Sequence, residues 1–244
     1  MRALSAGELL DVWEHGLAQA PWEQALTLLA AASPDTAREA LASLPIGHRD
    51  ARLLALRERL WGPHMAAVVV CPECRERLEL ALDTHEMLAG SPPDPPSEIP
   101  LIIGEFKVTM RVPTTLDTQL GDSGYPTTGG NTTQVLKRCV LRLEGENPVE
   151  VDQLPQEVLA GIEKRMAEAD PLADIQLDLT CPSCHHRWRA VFDIVSFLWT
   201  ELEVWVGRIL SDVHTLARAY GWSERDILAL SPTRRQFYLE MVGA

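Results

Sequence analysis

An α+β fold, mostly helical, is predicted by three features of this 244-residue chain. Apolar residues recur at helical spacing towards both ends. Two short segments of strand-like alternation each carry a Cys-Pro-x-Cys pair, Cys71/Cys74 and Cys181/Cys184, and a stretch of mixed helix and strand patterning separates them. The expected layout is a helical headpiece over 1–66, a zinc-ribbon-like double-knuckle α+β domain over 67–193, and a C-terminal helical segment over 194–244. Within the middle domain the knuckles take 68–83 and 176–193, and an α/β insertion takes 84–175.

In the headpiece, Leu9, Leu10, Trp13 and Leu17 keep helical spacing. Trp22, Leu26 and Leu29 follow Pro21, which suits a first helical turn because that position needs no N–H. Pro34 opens a short helix. A longer one runs from about His48 to Trp61, with Leu53, Leu54, Leu56 and Leu60 on its apolar side, and Gly62-Pro63 stops it.

The pattern then changes. Val68-Val69-Val70 leads into Cys71-Pro72-Glu73-Cys74, and Leu78, Leu80 and Leu82 alternate after it, so strand, turn, strand is the reading. Leu177 and Leu179, then Cys181-Pro182-Ser183-Cys184, then Trp188, Ala190 and Phe192 repeat it at an offset of 110 residues, matching Arg77 with Arg187 and Asp83 with Asp193.

Between the hairpins, 90–100 holds five prolines and reads as a semi-rigid connector. Strands are expected at 101–103 and 106–112, turning at Gly104-Glu105. A short helix over 115–120 and a Gly/Thr-rich surface loop over 121–133 follow. The next helix carries Leu136, Cys139, Val140 and Leu143 on one side, and a further one spans 155–169.

The C-terminal segment is one long amphipathic helix: Val195, Leu198, Leu202, Trp205, Ile209, Val213, Leu216 and Tyr220 recur at three- and four-residue steps until Gly221. Ser223 with Asp226 resembles a capping box and Ser231-Pro232 marks a new start, so two short helices form a terminal hook.

Charge narrows the function. The chain holds 22 Lys+Arg against 35 Asp+Glu, a formal net charge of −13, which argues against neutralising nucleic-acid phosphates as a main task. Residues 71–180 carry 9 basic and 20 acidic side chains, so 11 of the 13 excess negative charges lie around and between the hairpins. The first residues lack a sustained apolar run with a small-residue cleavage site. The most apolar stretch, 194–210, is broken by Glu201, Glu203 and Arg208. Neither a secretory signal nor a membrane span is expected, and the protein reads as cytoplasmic.

Two C-x-x-C pairs in such a chain read as a four-thiolate zinc site, Cys71, Cys74, Cys181 and Cys184, because reduced thiols at this spacing place two sulfurs on one side of a tight turn. Proline at the second position presets φ for that turn. The 106 intervening residues are unusual, but loop closure costs only logarithmically more with length. Four protein ligands leave no open position for a catalytic water, so one zinc here is structural and the protein is not expected to be an enzyme. The main competitor is a thiol-disulfide oxidoreductase using one C-P-x-C pair, which would want a helix N-terminus after the motif rather than the alternation seen. A zinc-ribbon nucleic-acid-binding adaptor is the third reading, set back by the acidity. A deaminase needs an H-x-E motif that is absent, and no H-E-x-x-H occurs. His185 and His186 read as knuckle-surface residues, and Cys139 as a small buried apolar one. The glycines at 121, 124, 129 and 130 form no dinucleotide or phosphate loop.

The long helix is apolar beyond one stripe, which allows a partner-binding surface beside ordinary core packing. Its candidates are Phe197, Trp199, Trp205 and Trp222, with Arg234 and Arg235 in the hook; the two arginines also suit a solvated helix face.

The run Phe192-Asp193-Ile194 to Trp199, the segment Leu216-Ala217-Arg218-Ala219-Tyr220-Gly221-Trp222-Ser223-Glu224, then Ile227 to Ser231 and Arg234 to Leu239, resemble the baseplate hub and tail assembly chaperones of T4-type contractile phages. Similar proteins occur in phage-derived contractile injection systems. Arg111-Val112-Pro113-Thr114-Thr115-Leu116-Asp117 is similar to the R-x-P-T-x-x-D stretch of that group, as is a C-P-x-C pair after a Leu/Arg-rich helix. The resemblance spans most of 48–243. It implies a non-enzymatic protein that helps build a baseplate, or is a minor component of it, with partners among baseplate, hub or tail proteins and the four cysteines as a zinc staple.

Overall fold

The computed structural model describes residues 1–89, 95–118, 131–145 and 150–243. Four helices open the chain: α1 (Ala6–Gly16), α2 (Pro21–Ala32), α3 (Arg38–Ala42) and α4 (Ile46–Trp61). Ser5 starts α1 with a capping box, its hydroxyl accepting from the Glu8 N–H while the Glu8 carboxylate accepts from the Ser5 N–H. Leu9 and Leu10 are buried as their spacing predicts, but Leu17 lies past the end of α1 and is exposed. Gly62 ends α4 at a φ of +88°, open only to glycine at little cost.

The chain then forms a hairpin of β1 (His64–Val70) and β2 (Arg77–Asp83), and later a second of β6 (Ile175–Thr180) and β7 (Arg187–Phe192). Both are antiparallel. Val70 pairs with Arg77 and Thr180 with Arg187, so the 110-residue offset read from the sequence holds in the register.

Between the hairpins lie α5 (Thr84–Leu88), β3 (Ile99–Ile103), β4 (Phe106–Met110), α6 (Thr115–Thr118), α7 (Asn131–Cys139), β5 (Val140–Glu144) and α8 (Gln156–Ala169), with 3₁₀ turns at Val151–Gln153 and Pro171–Ala173. The sheet order is β3-β4-β5. Its inner face and α7 and α8 bury a separate core that includes Ile99, Val108, Met110, Leu136, Cys139 and Ile162.

Two expectations are corrected here. Val140 and Leu143 belong to a strand, not to the helix of Leu136 and Cys139: α7 stops at Cys139, and β5 then pairs with the edge of β4, Val108 opposite Leu143. The helical spacing was real, but sheet pairing overrode it. Pro100 lies inside β3 rather than in the connector; β3 is an edge strand, where a missing N–H can face outwards. Residues 90–94 of the connector, the end of the helix expected over 115–120, and 121–130 of the Gly/Thr-rich loop fall outside the described residues.

Helix α9 (Ile194–Tyr220) begins at Asp193, which accepts from the Val195 N–H at 2.9 Å, and ends at Gly221 with a φ of +67°. Its first half closes the headpiece core, where Leu26, Leu29, Leu53, Leu54, Leu198 and Leu202 are buried together. Its second half packs against α10 (Glu224–Leu228) and α11 (Pro232–Gly243) through Val213, Leu216 and Ile227. Among the described residues no helix is long and apolar enough to cross a membrane.

The insertion is anchored at the start of α4. Pro45 bridges Thr114, the Ile46 N–H donates to the Pro113 carbonyl, and the Gly47 N–H donates to the buried Asp170 carboxylate at 2.8 Å. A Cβ on Gly47 would collide with that carboxylate, so the close approach needs glycine.

Candidate metal centre

Each hairpin turn is built the same way. The Cys71 N–H donates to the Glu76 carbonyl and the Arg75 N–H to the Cys71 carbonyl; the Cys181 N–H donates to the His186 carbonyl and the His185 N–H to the Cys181 carbonyl, all at 2.9–3.0 Å. Arg75 and His185, one residue past the second cysteine, take left-handed φ values of 65° and 60°. They are the non-glycine residues with positive φ among those described, and the strain is explained by the need to aim two thiols to one side of the turn.

The two knuckles face each other. All four Sγ atoms lie within 4.8 Å of one another, with Cys71 to Cys184 at 3.7 Å and Cys74 to Cys181 at 3.5 Å. Those separations are far longer than a disulfide, about 2.05 Å, and the cysteines are free. A tetrahedral zinc with Zn–S of about 2.3 Å sets its sulfurs about 3.8 Å apart, close to the separations of those two pairs. Cys71 and Cys181 are buried, Cys74 and Cys184 exposed, so the cluster opens to solvent on one side.

The four thiols do not ionise alike. The Cys184 backbone N–H, outweighing desolvation, brings the Cys181 thiol down to about 7 with help from the Ser183 N–H and the thiols of Cys74 and Cys184. The Glu76 N–H pulls Cys74 down, but contact with Cys184, desolvation and the thiols of Cys181 and Cys71 push it up to about 12. One thiolate so formed suppresses the next. A divalent cation at the centre of the four sulfurs would remove that conflict by neutralising them together. Neither C-P-x-C pair opens a helix; each is followed by a strand, so the usual source of a reactive thiolate is missing at both. His185 and His186 sit on the knuckle, and His186 stacks on Trp188 at 6.0 Å.

Sequence reasoning missed the role of the Arg111–Asp117 stretch. Arg111 donates to both Asp117 oxygens at 2.7 and 2.8 Å, and Asp117 also accepts from the Thr114 N–H and hydroxyl, each at 2.8 Å. The spacing of R-x-P-T-x-x-D is therefore that of a closed turn, held where the insertion meets α4. The motif itself was the available signal.

The surface candidates divide. Trp199 is not a surface residue: it is 7% exposed, its indole packs on Gly16, and its N–H donates to Glu203. Arg235 is likewise buried, ion-paired to Asp212 at 3.3 Å, because α11 folds back on α9. Trp222 is half-buried between Tyr220 and Tyr238, with centroids 4.6 and 4.9 Å away. Phe197 and Trp205 are half-buried on the outer side of α9, and Arg234 is exposed.

Among known proteins, a family model described as "T4 bacteriophage base plate protein" matches residues 18–199, most of the chain. The match takes in all four cysteines and ends within α9, short of the terminal hook. No curated protein and no solved structure matches.

Proposed function

Because the chain belongs to the T4 bacteriophage base plate protein family, we propose that it is a non-enzymatic structural zinc protein acting in assembly of a base plate, or as a minor component of it, in a contractile phage tail or phage-derived contractile injection system. Its partners in this reading are other base plate, hub or tail proteins, met in the cytoplasm. The observation that carries the zinc part is the convergence of four sulfurs from two turns 106 residues apart. A metal there ties together the two ends of the insertion, and a closed sulfur shell contributes folding energy rather than chemistry.

The division of labour in this reading is 1–66 as headpiece, 67–193 as the zinc-stapled body, and 194–244 as the C-terminal helical segment, whose buried side closes the headpiece core and whose outer side and hook are left for docking. Elemental analysis of purified protein is expected to give one zinc per chain. Mass spectrometry of assembled particles and of soluble intermediates from the producing cell separates the two roles: enrichment in intermediates alone means assembly factor, presence in particles means component, and absence from both overturns the reading.

A further inference from the structure

A groove of about 690 Å³ runs between the first hairpin and the outer face of α9, closed at its sides by Trp61 of α4 and by Val191 and Phe192 at the end of β7. Its two walls are built differently. On one side residues 66–69 of β1 line it consecutively, whereas a strand turning one face to a cavity contributes alternate residues only. That wall is therefore the edge of β1, which pairs with β2 alone. On the other side Ser196, Thr200, Val204 and Arg208 recur every four residues, with Phe197 and Trp205 beside them: one helix face. Apolar surface stays open here, with Val68 54%, Val204 51% and Val191 69% exposed.

An unpaired strand edge opposite a helix face that sets Phe197, Val204 and Trp205 among Ser196, Thr200 and Arg208 is an arrangement in which an extended peptide can add as a further strand, its main chain bonding to the edge and alternate side chains entering the groove. Charge selects the occupant further. Glu201 is held by Arg57 and Asp193 caps α9, while Arg208, exposed at one end, makes no ion pair among the described residues. In a chain of net −13, that end of the groove presents positive charge.

We infer that the groove takes an extended segment of a partner protein, added to the edge of β1, apolar at alternate positions and carrying a carboxylate that meets Arg208. From Ser196 to Arg208 α9 advances about 18 Å, room for about five extended residues. The inference deepens the base plate reading by naming the chemistry of the docking segment, and rests on it only for which protein supplies that segment.

The test uses the full chain and a displayed library of random octapeptides. Selection is expected to enrich peptides with apolar residues at alternate positions and one Asp or Glu. A selected peptide, made synthetically, should bind at least tenfold more weakly when alternate peptide bonds are N-methylated. It should bind at least fivefold more weakly to Arg208→Glu, with recovery when its own acid becomes Lys. Arg208 and Val191 are exposed, so unchanged melting of Arg208→Glu and Val191→Asp certifies their fold. No enrichment, helical spacing in the selected peptides, or affinities unmoved by N-methylation and by Arg208→Glu overturns the inference. So does a dimer that Val191→Asp dissociates, since a second copy then closes the groove. Peptide binding without any base plate protein in co-purification would instead fault the family role and leave the groove standing.

Discussion

Arg57 of α4 and Glu201 of α9, 144 residues apart, share two side-on hydrogen bonds of 2.9 and 2.7 Å. The same guanidinium donates to the carbonyls of Gly62 and His64 at 2.6 and 2.7 Å, so one buried cation fixes the end of α4, the start of β1 and the long helix. Removing one partner leaves a charge and two carbonyls without compensation. Arg57→Ala should lower unfolding free energy by about 3 kcal/mol, and Glu201→Gln by less because Glu201 keeps some solvent access. Urea denaturation of the two variants checks this, and equal small losses would show that the pair is not a clamp.

Helix α1 meets α9 where Gly16 lies under the Trp199 indole, too close for any Cβ. Gly16→Ala should cost about 1–3 kcal/mol by forcing the ring aside. Trp199→Phe removes part of the ring, and the double variant should regain some of the loss, giving a coupling term of about 1 kcal/mol between residues in contact. Strict additivity in thermal melts would mean that the helices relax around the new methyl group.

The grouping of the four cysteines and the long helix were legible because their signals are local and repeated: Cys-Pro-x-Cys at matched positions, and one apolar period sustained from Val195 to Tyr220. What stayed hidden depends on distant partners. Nothing near Val140 says that β4 has an open edge needing a strand, and its neighbours satisfy a helical period equally well. Trp199 and Arg235 looked like surface groups because an aromatic or an arginine on a helix gives no sign of whether another helix covers it. The covering elements, α1 for Trp199 and the fold-back of α11 for Arg235, come from tertiary packing. The four sulfurs could be grouped in advance, but the open β1 edge beside them could not.

Cys139 provides a control for the zinc reading. It is buried in the insertion core beside Arg111, and desolvation pushes its thiol up to about 12, so it stays a neutral thiol. Cys139→Ala should keep one metal per chain and lose about 1 kcal/mol of stability to a small cavity. Cys71→Ser should lose the metal, and chelation of the wild type should reproduce its lowered melting temperature. Equal metal content in the two variants would refute the assignment of the site.

Two buried carboxylates should make stability respond to pH with opposite signs. Burial pushes Asp50 up from 3.8 to about 6, against the attraction of Arg49 and with help from Asp193 and Asp170. A raised carboxylate stabilises the fold when protonated: its contribution is complete below the unfolded value of 3.8 and is lost as pH rises through about 6. For Asp117, desolvation acts upwards, but the Arg111 guanidinium and the Thr114 N–H and hydroxyl outweigh it and hold the carboxyl below its ordinary range. That contribution is present above 3.8 and disappears as pH falls through the lower folded value. Asn mimics the protonated acid at each position. As pH rises from about 4 to 6.5 the wild type should therefore lose stability relative to Asp50→Asn, whereas its advantage over Asp117→Asn should shrink only as pH falls below about 4. Taking differences between paired variants removes the shared titration of the thiols and of the other carboxylates. Urea midpoints across pH 2.5–7.5 read both trends, and a flat difference for Asp50→Asn would mean that its buried carboxylate is already compensated by Arg49 at neutral pH.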